Sequence, residues 1–319
     1  MGKVIITGGA GFIGSHVARK CLAAGYEVVV LDDLSSGKRE NLPDDVLLHQ
    51  VDVVDSREVQ KIFELLKPKH VIHLAAQISV SRSVREPAFD AKTNILGLLN
   101  VAQSAARCGV SSFIFGSSGG VLYGNVEEPA DECHEIRPVS PYGIAKLTGE
   151  RYLQFFATHY GLSCTAMRYA NVYGPRQDPY GEAGVVAIFF ERLLRGQPCV
   201  INGDGKYIRD YVYVEDVAEA NLLALQDYQC GFRAYNVGTG IPTDVCELEK
   251  RVRRNLLTIR EHADVSNLPE PEYGLPRPGD LRSSLLDARA IGEDLGWTPR
   301  FTLDEGLGRT ALWFAKKDW

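Results

Sequence analysis

Hydrophobic and polar positions in the first half of the chain follow two alternating rhythms. The runs "KVIITG", "EVVVLDD", "HVIHLAA" and "SSFIFGSS" are rich in β-branched and aromatic residues and apolar at successive positions. Between them, "FIGSHVARKCLAAG", "DSREVQKIFELLK" and "TNILGLLNVAQSAARCG" return their apolar residues at helical spacing. The pattern repeats in "YGIAKLTGERYLQFFATHYG" and "CTAMRYANV". Strands that are apolar throughout are covered on both faces, as in a parallel sheet. The βαβα order predicts an α/β fold, a doubly wound parallel (Rossmann) sheet with right-handed crossovers.

After about residue 173 the rhythm breaks. "YGPRQDPYGEAGVV" and "NLPEPEYGLPRPGD" are rich in proline and glycine, as loops over a ligand would be. Between them, "RDYVYVEDVAEANLLAL" and "AYNVGTG" read as strand, helix and strand returning to the main sheet. The expected organisation is a Rossmann domain of residues 1–172 and 208–239 and a smaller, discontinuous α/β domain of 173–207 and 240–319.

Composition changes this picture only by exclusion. A net charge of −6 over 319 residues gives no general attraction to nucleic acid or an anionic membrane. No apolar run approaches the ~20 residues that span a bilayer. The N-terminus leads straight into a strand, leaving no room for a signal peptide, so a cytoplasmic protein is expected. Seven scattered cysteines without a Cys-x-x-Cys pair, and histidines without a His-Glu-x-x-His pattern, predict neither disulfides nor a metal site.

The chemistry starts at "TGGAGFIG", residues 7–14, between a predicted strand and a predicted helix. Gly8, Gly11 and Gly14 (or Gly9, Gly11 and Gly14) allow a tight turn and a close approach of backbone amides to a pyrophosphate. The following helix adds partial positive charge beneath it. Asp32 ends the second strand, where a carboxylate accepts hydrogen bonds from the adenine-ribose hydroxyls and repels a 2′-phosphate. NAD is therefore expected, with Lys38 and Arg39 the residues that would otherwise favour NADP. Asp33 reads as a solvated loop residue. Asp52 is expected either at the adenine amino group or as a helix cap.

In "VSPYGIAK", Ser140 and Pro141 open a helix that places Tyr142 and Lys146 on one face, about 5–6 Å apart at Cβ. An ammonium beside a phenol favours phenolate and makes tyrosine a usable base. Taken alone, the pair reads more readily as an exposed helix face than as a catalytic pair. Upstream, however, a predicted strand delivers Ser117 and Ser118 to its C-terminal end, where open parallel sheets bind ligands.

The ordered set "TGGAGFIGSH", "LDDLSSGKREN", "HLAAQ", "SPYGIAK", "RYANVYGPRQ", "GDGKYIRDYVYVEDVA", "NVGTG" and "RPGD" resembles the extended short-chain dehydrogenase/reductase family, and within it the UDP-glucose 4-epimerases. The resemblance covers nearly the whole chain. It implies Tyr142 as catalytic base, Lys146 as its electrostatic partner and Ser118, rather than Ser117, as the bridging hydroxyl. It further implies that Phe12, Ile13, Val53, Leu74, Ala75, Ala76 and Asn94 lie at the cofactor, although Asn94 by itself reads as a helix cap. Asn171, Val185, Arg209, Arg277 and Asp280 are implied at the UDP-sugar. Ser284 aligns with a position where bulk limits sugar size, so its small side chain leaves room for an N-acetyl sugar.

The chain departs from the commonest family pattern at Gly119 and Gly120, with Leu122 inserted before Tyr123. Family dehydratases carry acidic residues there, and glycine offers neither acid nor base. The expectation is thus a UDP-glucose/UDP-galactose 4-epimerase holding NAD, with uronate or N-acetylhexosamine epimerases and dehydrogenases as alternatives. An NAD-sensing module without turnover is the non-enzymatic alternative. A homodimer is implied, with Leu96, Leu99, Val101, Leu153, Phe155 and Phe156 as apolar surface unless they simply cover the sheet.

Overall fold

The computed structural model describes residues 2–180, 184–259, 268–277 and 279–316. Residues 181–183, Asn267 and Pro278, from the two Pro/Gly-rich stretches, lie outside the described residues. The chain runs β1 (Lys3–Thr7), α1 (Phe12–Ala23), β2 (Glu27–Asp32), β3 (Leu47–Gln50), α2 (Ser56–Leu66), β4 (His70–His73), α3 (Val80–Arg85), α4 (Pro87–Ala91), α5 (Gly97–Arg107), β5 (Ser112–Ser118), α6 (Gly119–Leu122), α7 (Pro141–Tyr160) and β6 (Ser163–Tyr169). It continues through β7 (Asn171–Tyr173), α8 (Val185–Leu194), β8 (Val200–Asn202), β9 (Ile208–Tyr213), α9 (Val214–Gln226), β10 (Phe232–Val237), β11 (Pro242–Asp244), α10 (Val245–Thr258), β12 (Glu272–Gly274), β13 (Ser283–Ser284), α11 (Arg289–Leu295) and α12 (Leu303–Ala315).

Seven strands form one parallel sheet in the order β10-β6-β5-β4-β1-β2-β3. The strand order reverses between β1 and β4, which opens a crevice at their C-terminal ends. Apolar residues fill both faces, as the unbroken hydrophobic runs require. Phe63, Leu98 and Leu153 of α2, α5 and α7 share one core with Phe113 and Phe115 of β5, while Val17 of α1 and Val217 of α9 share another with Ile114 and Trp297.

The stretch 208–213, expected to return to this sheet, does not. As β9 it pairs with β7, β11 and β13 in a second, mixed sheet. Only α9 and β10 rejoin the main body, β10 pairing with β6 at the sheet edge. The run "CTAMRYANV" is likewise split at Ala170, with β6 in the main sheet and β7 in the second. Parallel and mixed sheets both present buried, β-branched strands here, so periodicity does not distinguish them.

The second lobe has its own core, in which Tyr173, Phe189, Phe190, Leu248, Leu307 and Phe314 are buried among α8, α10 and α12. Phe190 and Phe314 stack at 5.6 Å between ring centroids. Truncating either to alanine is expected to cost ~3–5 kcal/mol. Among the described residues no helix is long and apolar enough to cross a membrane.

Candidate active site

The glycine loop has the backbone its sequence demands. Gly8 adopts φ +66° and packs so tightly on the 74–75 backbone that a Cβ would lie 2.6 Å from the Ala75 nitrogen. A Cβ at Gly14 would overlap the Gly8 carbonyl oxygen, so α1 starts directly against the turn. Gly11 is the N-cap of α1, and a Cβ there would meet only the Gly8 oxygen, at 3.3 Å. Its surroundings are otherwise open, and the amides of a helix start can receive a phosphate. Phe12 and Ile13 form the first turn of α1 and are half-buried. Leu74, Ala75 and Ala76 follow β4, with the Ala75 amide donating to Thr7 Oγ1 at 3.3 Å.

Asp32 is buried, and each carboxylate oxygen accepts one backbone amide, from Ala10 and Leu34, at 2.9 Å. Burial raises its pKa while those amides lower it, leaving a net upward shift. Asp33 is exposed and takes Ser35, as a solvated loop residue would. Neither candidate for a 2′-phosphate is directed at Asp32. Arg39 donates to the carbonyls of Pro43 and Asp44, and Lys38 pairs with Glu40 at 3.8 Å. These residues therefore fit NAD. Asp52 is not a helix cap: it closes a turn onto the Val54 amide at 2.9 Å, and Asp55 caps α2 instead. Val53 is buried, its methyl surface facing Gly97.

Asn94 is not a cap either. It lies within a π-helical turn at Lys92–Leu96 and is buried. Its amide brackets the Gln77 backbone, accepting from the nitrogen and donating to the oxygen at 2.9 Å each, and also donates to Asp90 at 2.9 Å. Gln77 donates to the same Asp90 oxygen at 2.8 Å. This buried trio, of which only Asn94 was expected, holds the 74–79 segment in place.

Ser140 caps α7, accepting from the Gly143 amide at 3.1 Å, and Pro141 occupies the first turn. Tyr142 is half-buried, its amide donating to Ser83 Oγ at 3.2 Å. Lys146 is buried and donates to the Gly116 carbonyl of β5 at 2.7 Å. Its nitrogen stands 5.5 Å from the centre of the Tyr142 ring. Burial pulls the Lys146 pKa down to about 8, against Asp90 and Glu150, which raise it. The ammonium was expected to make the phenol more acidic. Instead burial, reinforced by Asp90, holds the Tyr142 pKa well above its ordinary value.

The two serines part company at the end of β5. Ser117 donates to Glu150 at 2.6 Å, and Glu150 forms a buried ion pair with Arg168 of β6 at 2.7 Å. Side chains alternate along a strand, so Ser118 projects to the other face. There, a Cβ at Gly120 would lie 3.7 Å from Asn171 Oδ1, 3.7 Å from Ser284 Oγ and 4.0 Å from Ser118 Oγ. Three expected substrate residues thus surround one open point. Gly119 is closed, because a Cβ there would meet the Leu286 side chain at 2.6 Å.

The second sheet brings in the rest. Ser284 is in register with Arg209, and Asn171 with Tyr211, across β13, β9 and β7. Arg209 is ion-paired with Asp280, so two expected ligand residues hold each other. Tyr211, unforeseen from the sequence, is buried beside them, and its hydroxyl has no hydrogen-bond partner among the described residues. Arg277 is exposed on the 275–277 segment, where its carbonyl accepts from the Asp280 amide at 3.2 Å. Val185 is the first residue of α8 and half-buried.

A glycine turn feeding a helix, a buried carboxylate at the end of β2, and a phenol–ammonium pair at the crevice of a parallel sheet are the features of an NAD-binding enzyme of the extended short-chain dehydrogenase/reductase class. The chain belongs to the NAD dependent epimerase/dehydratase family, whose model matches residues 4–238. It is 44% identical over 321 residues to the UDP-glucose 4-epimerase of Mycolicibacterium smegmatis, covering 99% of both chains. Among solved structures, the UDP-glucose 4-epimerase of Thermotoga maritima with UDP-glucose shares 51% identity at a TM-score of 0.92, covering 98% of this chain and 99% of that one. The Thermus thermophilus UDP-glucose 4-epimerase in complex with NAD shares 44% identity at a TM-score of 0.90, with the same coverage.

Proposed function

We propose that this chain is a 4-epimerase of UDP-hexoses that interconverts UDP-glucose and UDP-galactose. The observation that carries this reading is the environment of Gly120, where Ser118, Asn171 and Ser284 offer two hydroxyls and an amide around an open point. Such a site positions sugar hydroxyls yet holds no acid at 119 or 120 to expel water across C5–C6. The full-length relatives named above support the same activity.

NAD, when bound, supplies the two-electron acceptor for C4 of the sugar and carries a positive ring charge. The glycine loop and Asp32 hold it. Tyr142 exchanges one proton with O4: as phenolate it takes the hydroxyl proton when the 4-keto sugar forms, and as phenol it returns it. Burial holds Tyr142 protonated in the chain alone, and the positive charge of Lys146 together with that of bound NAD would favour the phenolate. Ser118 bridges the sugar oxygen and the phenol. Arg209 and Arg277 hold the diphosphate with Asn171, Asp280 takes the uridine ribose, and Val185 lies at the UDP-sugar. The 4-keto sugar turns about its diphosphate and presents its other face for reduction, so net redox change is zero.

Ser284 leaves room for an N-acetyl group, so UDP-N-acetylhexosamines are a second substrate class. The active form is a homodimer packed through α5 and α7. Leu96, Ile144, Tyr152 and Phe155 are exposed there and Leu99 is half-buried, whereas Val101, Leu153 and Phe156 cover the chain's own sheet. The test is incubation with UDP-galactose while absorbance at 340 nm and product are followed together. UDP-glucose should accumulate with no net NADH. NADH rising in step with product would establish a dehydrogenase instead.

A further inference from the structure

Glu150 is the one buried carboxylate of α7, a single helical turn beyond Lys146. The two side chains reach adjacent residues at the end of β5: Lys146 binds the Gly116 carbonyl at 2.7 Å, and Glu150 receives the Ser117 hydroxyl at 2.6 Å. Glu150 also accepts two bonds from Arg168 on β6, at 3.0 and 2.7 Å. Arg168 passes the connection on, donating to the Tyr123 hydroxyl at 2.8 Å, which donates to Asn236 of β10 at 2.8 Å. One carboxylate thereby ties three neighbouring strand ends, β5, β6 and β10, to the helix that carries Tyr142 and Lys146. A buried ion pair is weak evidence for stability by itself, since desolvation offsets most of its Coulomb energy. Its position, one residue from Ser118 and one turn from Lys146, gives it another use.

Resting on the reading of Tyr142, Lys146 and Ser118 given above, we propose that Glu150 is a positioning residue for catalysis. By holding Ser117, which strand alternation already directs away from Ser118, it fixes the end of β5, and Ser118 with it, against α7. Its negative charge also sustains the Lys146 ammonium. The groups facing that ammonium are Tyr142 and Glu150 on its own helix, Asp90 from α4 and His73 from β4, with Arg168 of β6 behind Glu150. His73 is held neutral by burial, its pKa down to about 3, so Asp90 and Glu150 are the two anions.

The test uses the holoenzyme with UDP-galactose and compares wild type, Glu150→Gln, and the pair Glu150→Met with Arg168→Met. The paired change removes both buried charges at similar volume, so it leaves no lone charge to unfold the chain. Both variants are expected to retain NAD and a KM within about two-fold of wild type. Both should lose roughly ten- to hundred-fold in kcat, the scale of a small misplacement of reacting groups. In both, the alkaline limb of kcat should move to lower pH, because an ammonium without its counter-charge deprotonates earlier. Wild-type kcat and pH profile in the paired variant would overturn the proposal and leave Glu150 a structural ion pair. An inactive wild type would instead refute the epimerase reading itself.

Discussion

Substituting Gly11 with alanine separates a dinucleotide cradle from a mere tight turn. Gly11 has φ −77° and ψ −174°, which any residue adopts, and a methyl group there would touch only one protein atom, the Gly8 oxygen at 3.3 Å. The folding cost is that of alanine at an N-cap, about 1 kcal/mol, a few degrees of Tm for a chain of this size. The same methyl group points to the side where the helix-start amides receive a pyrophosphate. Pushing the phosphates away loses about two charge-assisted hydrogen bonds at ~1.5–3 kcal/mol each. Together these are about 3–6 kcal/mol, or about 10²–10⁴-fold in affinity. Gly14→Ala differs, because its methyl group overlaps the Gly8 carbonyl and lies 2.7 Å from the Gly9 Cα, so both fold and cofactor suffer. The assay is NAD content after purification, together with Tm of each protein stripped of cofactor. Gly11→Ala should lose its NAD at nearly wild-type Tm, and Gly14→Ala should lose both. Full NAD retention by Gly11→Ala would refute the argument.

Tyr142→Phe should lower kcat by about 10²–10⁴-fold or more while NAD content stays at the wild-type level; near-normal turnover contradicts the proton-transfer role. Because the Lys146 pKa is about 8, activity that needs its ammonium should fall as pH rises through about 8, and a kcat flat to pH 10 contradicts this. His16 and His73 are held neutral by burial, with pKa values of about 3. Between pH ~6.5 and ~3 the unfolded chain binds protons that the folded chain refuses, so stability is lost as pH falls, by up to ~1.4 kcal/mol per unit for each imidazole. Urea midpoints should therefore be lower at pH 5 than at pH 7; equal midpoints contradict it. Ser284→Tyr should cut turnover of UDP-N-acetylgalactosamine at least about ten-fold more than that of UDP-galactose, and equal losses on both would remove Ser284 from sugar selection.

Local chemistry made much of this legible. The glycine loop, Asp32, the Ser140–Pro141 helix start and the strand ending in Ser117 and Ser118 each carry a backbone or capping requirement that a short stretch displays. Long-range pairing was not legible. Strand β9 looks like a return to the main sheet because its burial pattern resembles that of β10, yet it pairs elsewhere. Asp52 fits a cap by sequence, but α2 starts only at Ser56, and Asp55 caps it. Glu150 and Arg168 read as ordinary charged positions until α7 and β6 bring them together. Val101, Leu153 and Phe156 share helix patterns with exposed Leu96 and Phe155, and the strands beneath α5 and α7 decide which are covered.

The most direct test of 4-epimerisation is proton NMR of the purified protein with UDP-galactose and no added NAD, following the anomeric signals. The expected result is growth of UDP-glucose to a steady ratio with UDP-galactose, which requires both the chemistry at C4 and a retained cofactor. Unchanged UDP-galactose, even after NAD is supplied, would contradict the account.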